Sequence, residues 1–321
     1  YSEKSFEQVI ELGEEIDQHV KLKIDDTFKP GLYRIANNYS LVVRKDGPSD
    51  VTIVYPHMNN LLYQKTEEQN SFSLNLETTS LNRTANIDNH TLKLQPTLQL
   101  IQQKYEVNYI TDLDMEDYAN IKDSKLLVLY GKSTFWTPKM KSSFKEYVSN
   151  GGNVLLICSY LMNNVCWYDK ENRQIILYDK SRAQKVESYL GFNGDAPRYV
   201  VGSSYLFGGT SESISYNILE VNHPIFEGMT AIGIRSELYS SSPVLWEKNQ
   251  PYVNNGVAKF YKSKVLAYNK SKGSYGYEGV KGIFESQPDT SSGIMINLGT
   301  EDWCLQEDQR LITNSIDYLL K

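Results

Sequence analysis

Two carboxylates and an indole stand side by side in the segment LGTEDWC, where Glu301, Asp302 and Trp303 follow the apolar run GIMINLG. Adjacent acids beside an aromatic ring suit a cation, a sugar or an amide, and the same acids suit the cap of a helix with the Trp in the core. A second acidic group, Asp112, Asp114, Glu116 and Asp117, follows the run EVNYI. Its carboxylates could ligate a metal or act as general bases, and Asp at a strand end also caps the next helix. Cys158 closes the run VLLIC and is a candidate nucleophile, with His57, His90 and His223 as possible bases; the alternative is a buried, inert thiol. His223, before Pro224, either moves protons or orients a turn.

Chemistry of this kind needs a frame. The runs DVTIVYP, EVNYI, KLLVLYG and VLLIC are short, β-branched and continuous, as in strands covered on both sides. Between them, Leu98, Ile101 and Tyr105 share one helical face. A second helix is predicted from Thr137 as cap and Pro138 at its first position to Asn150-Gly151-Gly152, with Met140, Phe144, Tyr147 and Val148 on one face. Residues 106–158 therefore read as β-α-β-α-β, and the fold class as α/β on a largely parallel sheet with helices on both faces. Residues 1–49 alternate apolar and polar positions between turn signals, and are expected to be a β segment ending a preceding β domain, with the α/β domain over 50–321. Residues 57–95 show no sustained period and read as a long covering or functional loop. A helix is expected near Arg182 to Leu190, strands near Val244 to Trp246 and Val265 to Ala267, and a closing helix carrying Leu311, Ile312, Ile316, Leu319 and Leu320.

In open α/β sheets ligands gather beyond the carboxyl ends of the strands. The residues there are Tyr55, Asp112, Asp114, Lys132, Ser133, Cys158, Ser159, Glu301, Asp302 and Trp303. Tyr55, Asp112, Asp114, Lys132, Ser133 and Trp303 are the ligand-binding candidates, and Cys158, Glu301 and Asp302 the catalytic ones. The expected partner is a small polar ligand or a saccharide.

Composition narrows the field. Lys and Arg number 33 against 39 Asp and Glu, scattered in sign, which argues against a phosphate-tracking groove and hence against nucleic acid. No apolar run reaches the roughly 18 to 20 residues that cross a bilayer, so a soluble, cytoplasmic protein is expected. The three cysteines are too few and too scattered for a zinc cluster or disulfide framework.

The order PGLYRIA, SLVVRKDG, DVTIVYP, NNLLY, NYITDLDM, LVLYGKSTFW, GGNVLLICS, NHPIFEGM and LGTEDWC resembles the C-terminal α/β domain of the N,N-dimethylformamidase large subunit. The resemblance implies a glutamine amidotransferase-like fold, a fold that can place a nucleophilic cysteine where Cys158 stands, and hydrolysis of a C–N amide bond. It also implies mononuclear iron held by two tyrosines and a glutamate. Phe135 occupies one tyrosine position, in GKSTFW where the family carries a Gly-His-Asp/Pro-Glu-Tyr-Trp block. Tyr109, Glu237 and Glu301 are the remaining oxygen ligands suited to a hard ferric ion. The alternative to a hydrolase is a noncatalytic ligand- or carbohydrate-binding or structural module on the same fold.

Overall fold

The structure is a computed structural model. It describes residues 28–35, 39–68, 78–80, 87–159, 161–162, 164–177, 204–205, 213–235, 243–245, 262–272 and 278–321. The apolar runs read from the sequence become strands β1 (Ser49–Tyr55), β2 (Val107–Thr111), β3 (Ser124–Lys132) and β4 (Asn153–Ser159). They are followed along the chain by β5 (Ser213–Ile218), β6 (Ile232–Arg235), β7 (Lys262–Lys272), β8 (Glu278–Gln287) and β9 (Met295–Asn297). Among the described residues the main sheet runs β6-β5-β7-β8-β9-β4-β3-β1-β2. The short strand Pro243–Leu245 pairs off this path with β8 and with Ser204–Tyr205.

Pairing is parallel from β9 through β4, β3 and β1 to β2, with Val51 opposite both Val107 and Leu126, and Val154 opposite both Leu127 and Met295. From β9 outward every pairing on the path is antiparallel. The sheet is thus partly parallel, where the sequence suggested a largely parallel one. The difference lies in the β7–β8 hairpin, whose polar strands (KSKVLAYNKSK, EGVKGIFESQ) hide their period in the sequence.

Four helices complete the described fold: α1 (His57–Glu68), α2 (Asn89–Lys104), α3 (Pro138–Ser149) and α4 (Arg310–Leu319). Alternate strand residues enter two separate cores, as a period of two demands. Val51, Ile53, Leu126, Val128, Leu155 and Ile157 meet Leu94, Leu98 and Ile101 of α2 and Leu311, Ile312 and Ile316 of α4. Val54, Leu127, Leu129, Val154 and Leu156 meet Met58 and Leu62 of α1 and Met140, Phe144 and Tyr147 of α3. Each such side chain contributes roughly 1.5–3 kcal/mol on burial, and truncating Phe144 to Ala would cost about 3–5 kcal/mol. Helix α3 forms as its sequence predicts: Thr137 Oγ1 accepts from Met140 N at 3.2 Å, Pro138 opens the first turn, and Gly151 takes a left-handed φ of +92° just past the end.

Two expectations are corrected. Residues 57–95 are not one loop, because α1 and the start of α2 lie within them. The segment between β2 and β3 is not an α-helix but two 3₁₀ turns, Asp112–Glu116 and Tyr118–Asn120, each held by a side-chain cap, Thr111 and Asp117. The helix expected near Arg182 to Leu190 lies outside the described residues. Ahead of β1, the hairpin Gly31–Ile35/Tyr39–Val43 buries Leu32 in the core shared with α2. No described helix is long and apolar enough to cross a membrane.

The parallel block reads β2-β1-β3-β4-β9, so the chain winds in opposite directions from β1 and from β3. That reversal falls between the carboxyl ends of β1 and β3, where Tyr55 and Lys132 stand, the place at which open α/β sheets gather ligands.

Candidate functional site

Asp88 anchors the polar groups beyond these strand ends. It is the N-cap of α2, accepting from Thr91 N at 2.9 Å and from the Thr91 hydroxyl at 2.9 Å. Asn60 of α1 donates to the same carboxylate at 2.6 Å, so Asp88 ties the two helices together. Burial would raise its carboxyl, but His90 and the Thr91 donors prevail and hold it below the usual range.

His90, in the first turn of α2 and 4% exposed, sits between two acids. Its Nδ1 lies 3.6 Å from Asp88 Oδ1 and its Nε2 lies 3.8 Å from Asp302 Oδ1. Burial works against a charged imidazole, yet Asp302, Asp88 and Glu301 together outweigh it and raise the group to about 10. His90 is therefore an imidazolium at neutral pH, fixed in place by carboxylates.

Glu301 and Asp302 reach it from a 3₁₀ turn, Glu301–Leu305, whose N-cap Thr300 accepts from Asp302 N at 3.2 Å. Gly299, at φ +83°, makes the bend from β9 into this turn, a conformation that L side chains resist. Burial pushes the Glu301 carboxyl up to about 7, against the pull of His90 and Lys132. A carboxyl poised at neutral pH can take and return a proton within one turnover.

Two phenols lie near Asp88. Tyr55 and Tyr130 are fully buried; burial raises Tyr55 to about 12 and Tyr130 well above its ordinary value. The Tyr130 hydroxyl lies 3.2 Å from Thr91 Oγ1. At the end of β3, Gly131 takes φ +72°, and a Cβ there would meet Pro56 Cγ at 3.4 Å. Beyond it the Lys132 ammonium rests 4.4 Å from the centre of the Tyr63 ring, a cation–π contact.

The structure brings Glu301 and Asp302 to His90, with Lys132 beside Glu301 and Tyr55 beside Asp88. Other candidates have structural partners. Asp112 caps α1 from a distant strand end, accepting from Met58 N at 2.9 Å and from Asn59 N and Nδ2 at 3.0 Å; burial pushes its carboxyl up against these donors. Asp114 closes a capping box with Thr111, and Asp117 caps Ala119. Ser133 Oγ accepts from the Trp136 indole at 3.1 Å. Trp303 is 4% exposed and gives its indole N–H to the Leu298 carbonyl at 2.9 Å. Cys158 is fully buried and its thiol is pushed far up by burial, then by Glu301, which keeps it protonated. A small cavity of about 10 Å³ is lined by Pro56, Asp112, Tyr130, Ser133 and Trp136 among others.

Asp88, Thr91 and Asn60 escaped the sequence reading, and His90 entered it only as a possible base for Cys158. A signal existed in Asp88, followed at helical spacing by Leu94, Leu98 and Ile101.

A family model described as N,N-dimethylformamidase beta subunit-like, C-terminal, matches residues 37–305. The chain belongs to this family. No curated protein matches it. Among solved structures it is similar to a putative ThuA-like protein from Bacteroides uniformis, at 11% identity over 87% of this chain and 94% of that one, with a TM-score of 0.45. A putative ThuA-like protein from Parabacteroides merdae matches at 12% identity over 85% and 90%, with a TM-score of 0.43. A β-galactosidase from Bacillus circulans sp. alkalophilus matches at 12% over 84% of this chain but 31% of that chain, with a TM-score of 0.47.

The iron implied by resemblance to dimethylformamidase does not fit the residues present. Phe135 offers no side-chain oxygen; its backbone is clamped by Asn59 (Phe135 N to Oδ1 2.8 Å, Nδ2 to Phe135 O 3.1 Å) and its ring packs edge-on against Tyr63. The Tyr109 phenol is raised by burial alone, and no acid perturbs it. Glu301 already faces an internal cation, His90. Glu237 lies outside the described residues, and among the described ones no three His, Cys, Asp or Glu gather to hold a metal ion.

Proposed function

We propose that the chain is a divergent hydrolase of the dimethylformamidase-like family, cleaving a C–N amide bond in a small polar substrate beyond the ends of β1 and β3. We read the layering of α2 and α4 against α1 and α3 as a glutamine amidotransferase-like arrangement with helices on both faces. The observation that carries the function is Glu301, a buried carboxyl raised to about 7 beside a caged imidazolium.

In this reading the Glu301 carboxylate takes a proton from water while the water oxygen adds to the amide carbon. The oxygen of the tetrahedral adduct gains negative charge and faces the His90 imidazolium and the Lys132 ammonium, which favour that charge over the neutral carbonyl. The Glu301 acid then returns its proton to nitrogen, the C–N bond breaks, and a carboxylic acid and an amine leave. Neither step uses Cys158. Family membership supports the reaction class; the cluster supports these roles.

Release of amine from small amides tests the reading. Glu301→Gln should reduce turnover by about 10²–10⁴-fold, the usual contribution of a positioned acid–base group, with folding unchanged by circular dichroism. An unchanged rate in the variant would remove Glu301 from the reaction. A noncatalytic ligand- or carbohydrate-binding module is the second reading, and Phe135 in the tyrosine position favours it. It expects binding of a small polar ligand or saccharide with no amine release at all.

A further inference from the structure

Three buried polar atoms at the strand ends lack a hydrogen-bond partner: His90 Nε2, Asp302 Oδ2 and the Tyr55 hydroxyl. Both amide atoms of Gln95, one turn along α2 from Thr91, are also unpartnered. Native interiors pair such groups with rare exceptions, because a buried unpaired group costs about 1–3 kcal/mol, and clustered exceptions point to a ligand.

The pattern of donors and acceptors says which ligand. His90 faces a carboxylate from each ring nitrogen, Asp88 at Nδ1 and Asp302 at Nε2, so both nitrogens carry hydrogen and Nε2 is a donor. At 3.8 Å from Asp302 Oδ1 that donor closes no hydrogen bond. Asp302 Oδ2, in the same buried place, can only accept. A donor beside an acceptor complements a group that presents one acceptor and one donor along the same edge, as a carboxamide bearing an N–H does.

We propose that the site selects carboxamides that keep an N–H, their carbonyl accepting from His90 Nε2 and their N–H donating to Asp302 Oδ2, over N,N-dialkylated amides. The inference rests on the amide-hydrolase reading above and narrows its substrate class. An N,N-dialkyl amide satisfies His90 but leaves Asp302 Oδ2 unpaired and sets alkyl carbon against it. The selectivity therefore departs from the amide in the family's name.

The test is saturation-transfer NMR on the full chain with formamide, N-methylformamide, N,N-dimethylformamide and ethylene glycol, together with amine release from the three amides. The amides that keep an N–H should bind at least about tenfold more tightly than the dimethyl compound, the effect of one hydrogen bond to a charged acceptor. Asp302→Asn should erase that gap; if the variant does not fold, the wild-type series decides alone. Equal or tighter binding of N,N-dimethylformamide overturns the inference and leaves the hydrolase reading standing. Tighter binding of ethylene glycol than of formamide also overturns it, in favour of hydroxyl recognition. If no amide is bound or cleaved, the hydrolase reading falls and the inference falls with it.

Discussion

Two histidine–carboxylate clusters occupy opposite halves of the sheet, and they differ in how completely their imidazoles are paired. In the antiparallel half, His223 Nε2 meets Glu285 Oε2 at 2.8 Å and the Tyr318 hydroxyl donates to the same oxygen at 2.9 Å. His223 Nδ1 also accepts from Ile225 N at 3.4 Å, capping the turn Pro224–Phe226. Every polar atom of the imidazole is used, and the cluster fastens α4 to β8. At the ends of the parallel strands, His90 keeps its two acids at 3.6 and 3.8 Å, and atoms of His90, Asp302 and Tyr55 stay unpaired. Residue types are nearly the same in both places. An imidazole paired at both nitrogens marks a fastening, and one left with an unpaired nitrogen marks a place prepared for something else.

Mutations should separate the two. The largest effect on stability is expected from Glu285→Ala, which leaves His223 and Tyr318 without their shared acceptor in a buried setting. Urea denaturation should show a loss of about 3–5 kcal/mol. A loss below about 1 kcal/mol would mean that the antiparallel cluster is no fastening, and the contrast would disappear.

Next comes pH. Both perturbed groups of the site have folded pKa values above their ordinary ones, Glu301 at about 7 and His90 at about 10. The folded state therefore holds more protons than the unfolded chain, so stability contributed by Glu301 is lost as pH rises from its ordinary value towards 7. The stability contributed by His90 is fully present below its ordinary value and lost as pH rises towards 10. Unfolding free energies should fall steadily between pH 5 and pH 9, by a few kcal/mol in all, since a proton held only in the folded state costs roughly 1.4 kcal/mol for each step of one in pH. In Glu301→Gln the acidic part of that fall should vanish and the alkaline part remain. A flat profile in the wild type would contradict the caged imidazolium.

The smallest stability effect is expected from Glu301→Gln combined with Asp302→Asn. These replacements keep the shape of both side chains and one acceptor oxygen on each; the lost hold on the His90 proton is offset by removing the cost of burying two carboxylates, so stability near neutral pH should change by less than about 1 kcal/mol while ligand binding is lost. A large destabilisation would assign the pair to the capping role that their sequence also allowed.

The same contrast explains what the sequence made legible. Strands β3 and β4 and helix α3 were readable because Thr137, Pro138, the spacing of Met140, Phe144 and Tyr147, and Gly151 all act within one short segment. Helix α1 was not readable, since the carboxylate at its first turn belongs to Asp112, a residue of another strand end. The polar alternation of β7 and β8 makes sense only once the two strands pair. The site was half legible: strand ends pointed to Tyr55, Lys132, Glu301 and Asp302, but nothing local joins them to Asp88 and His90. That join is made by α2 packing against the turn after β9, bridged by Gln309, whose Oε1 accepts from Thr97 Oγ1 at 3.2 Å while its Nε2 donates to the Trp303 carbonyl at 3.1 Å. Cys158 and Trp303 looked reactive or accessible in one dimension and are buried in three.

The most direct test of the central claim is the pH dependence of amine release by the wild type. If Glu301 acts as the base, release should rise with pH through about 7 as its carboxyl ionises and then level off, and Glu301→Gln should lose both the rate and the inflection. Release that ignores pH across that range, or that survives in the variant with the same inflection, would contradict the account.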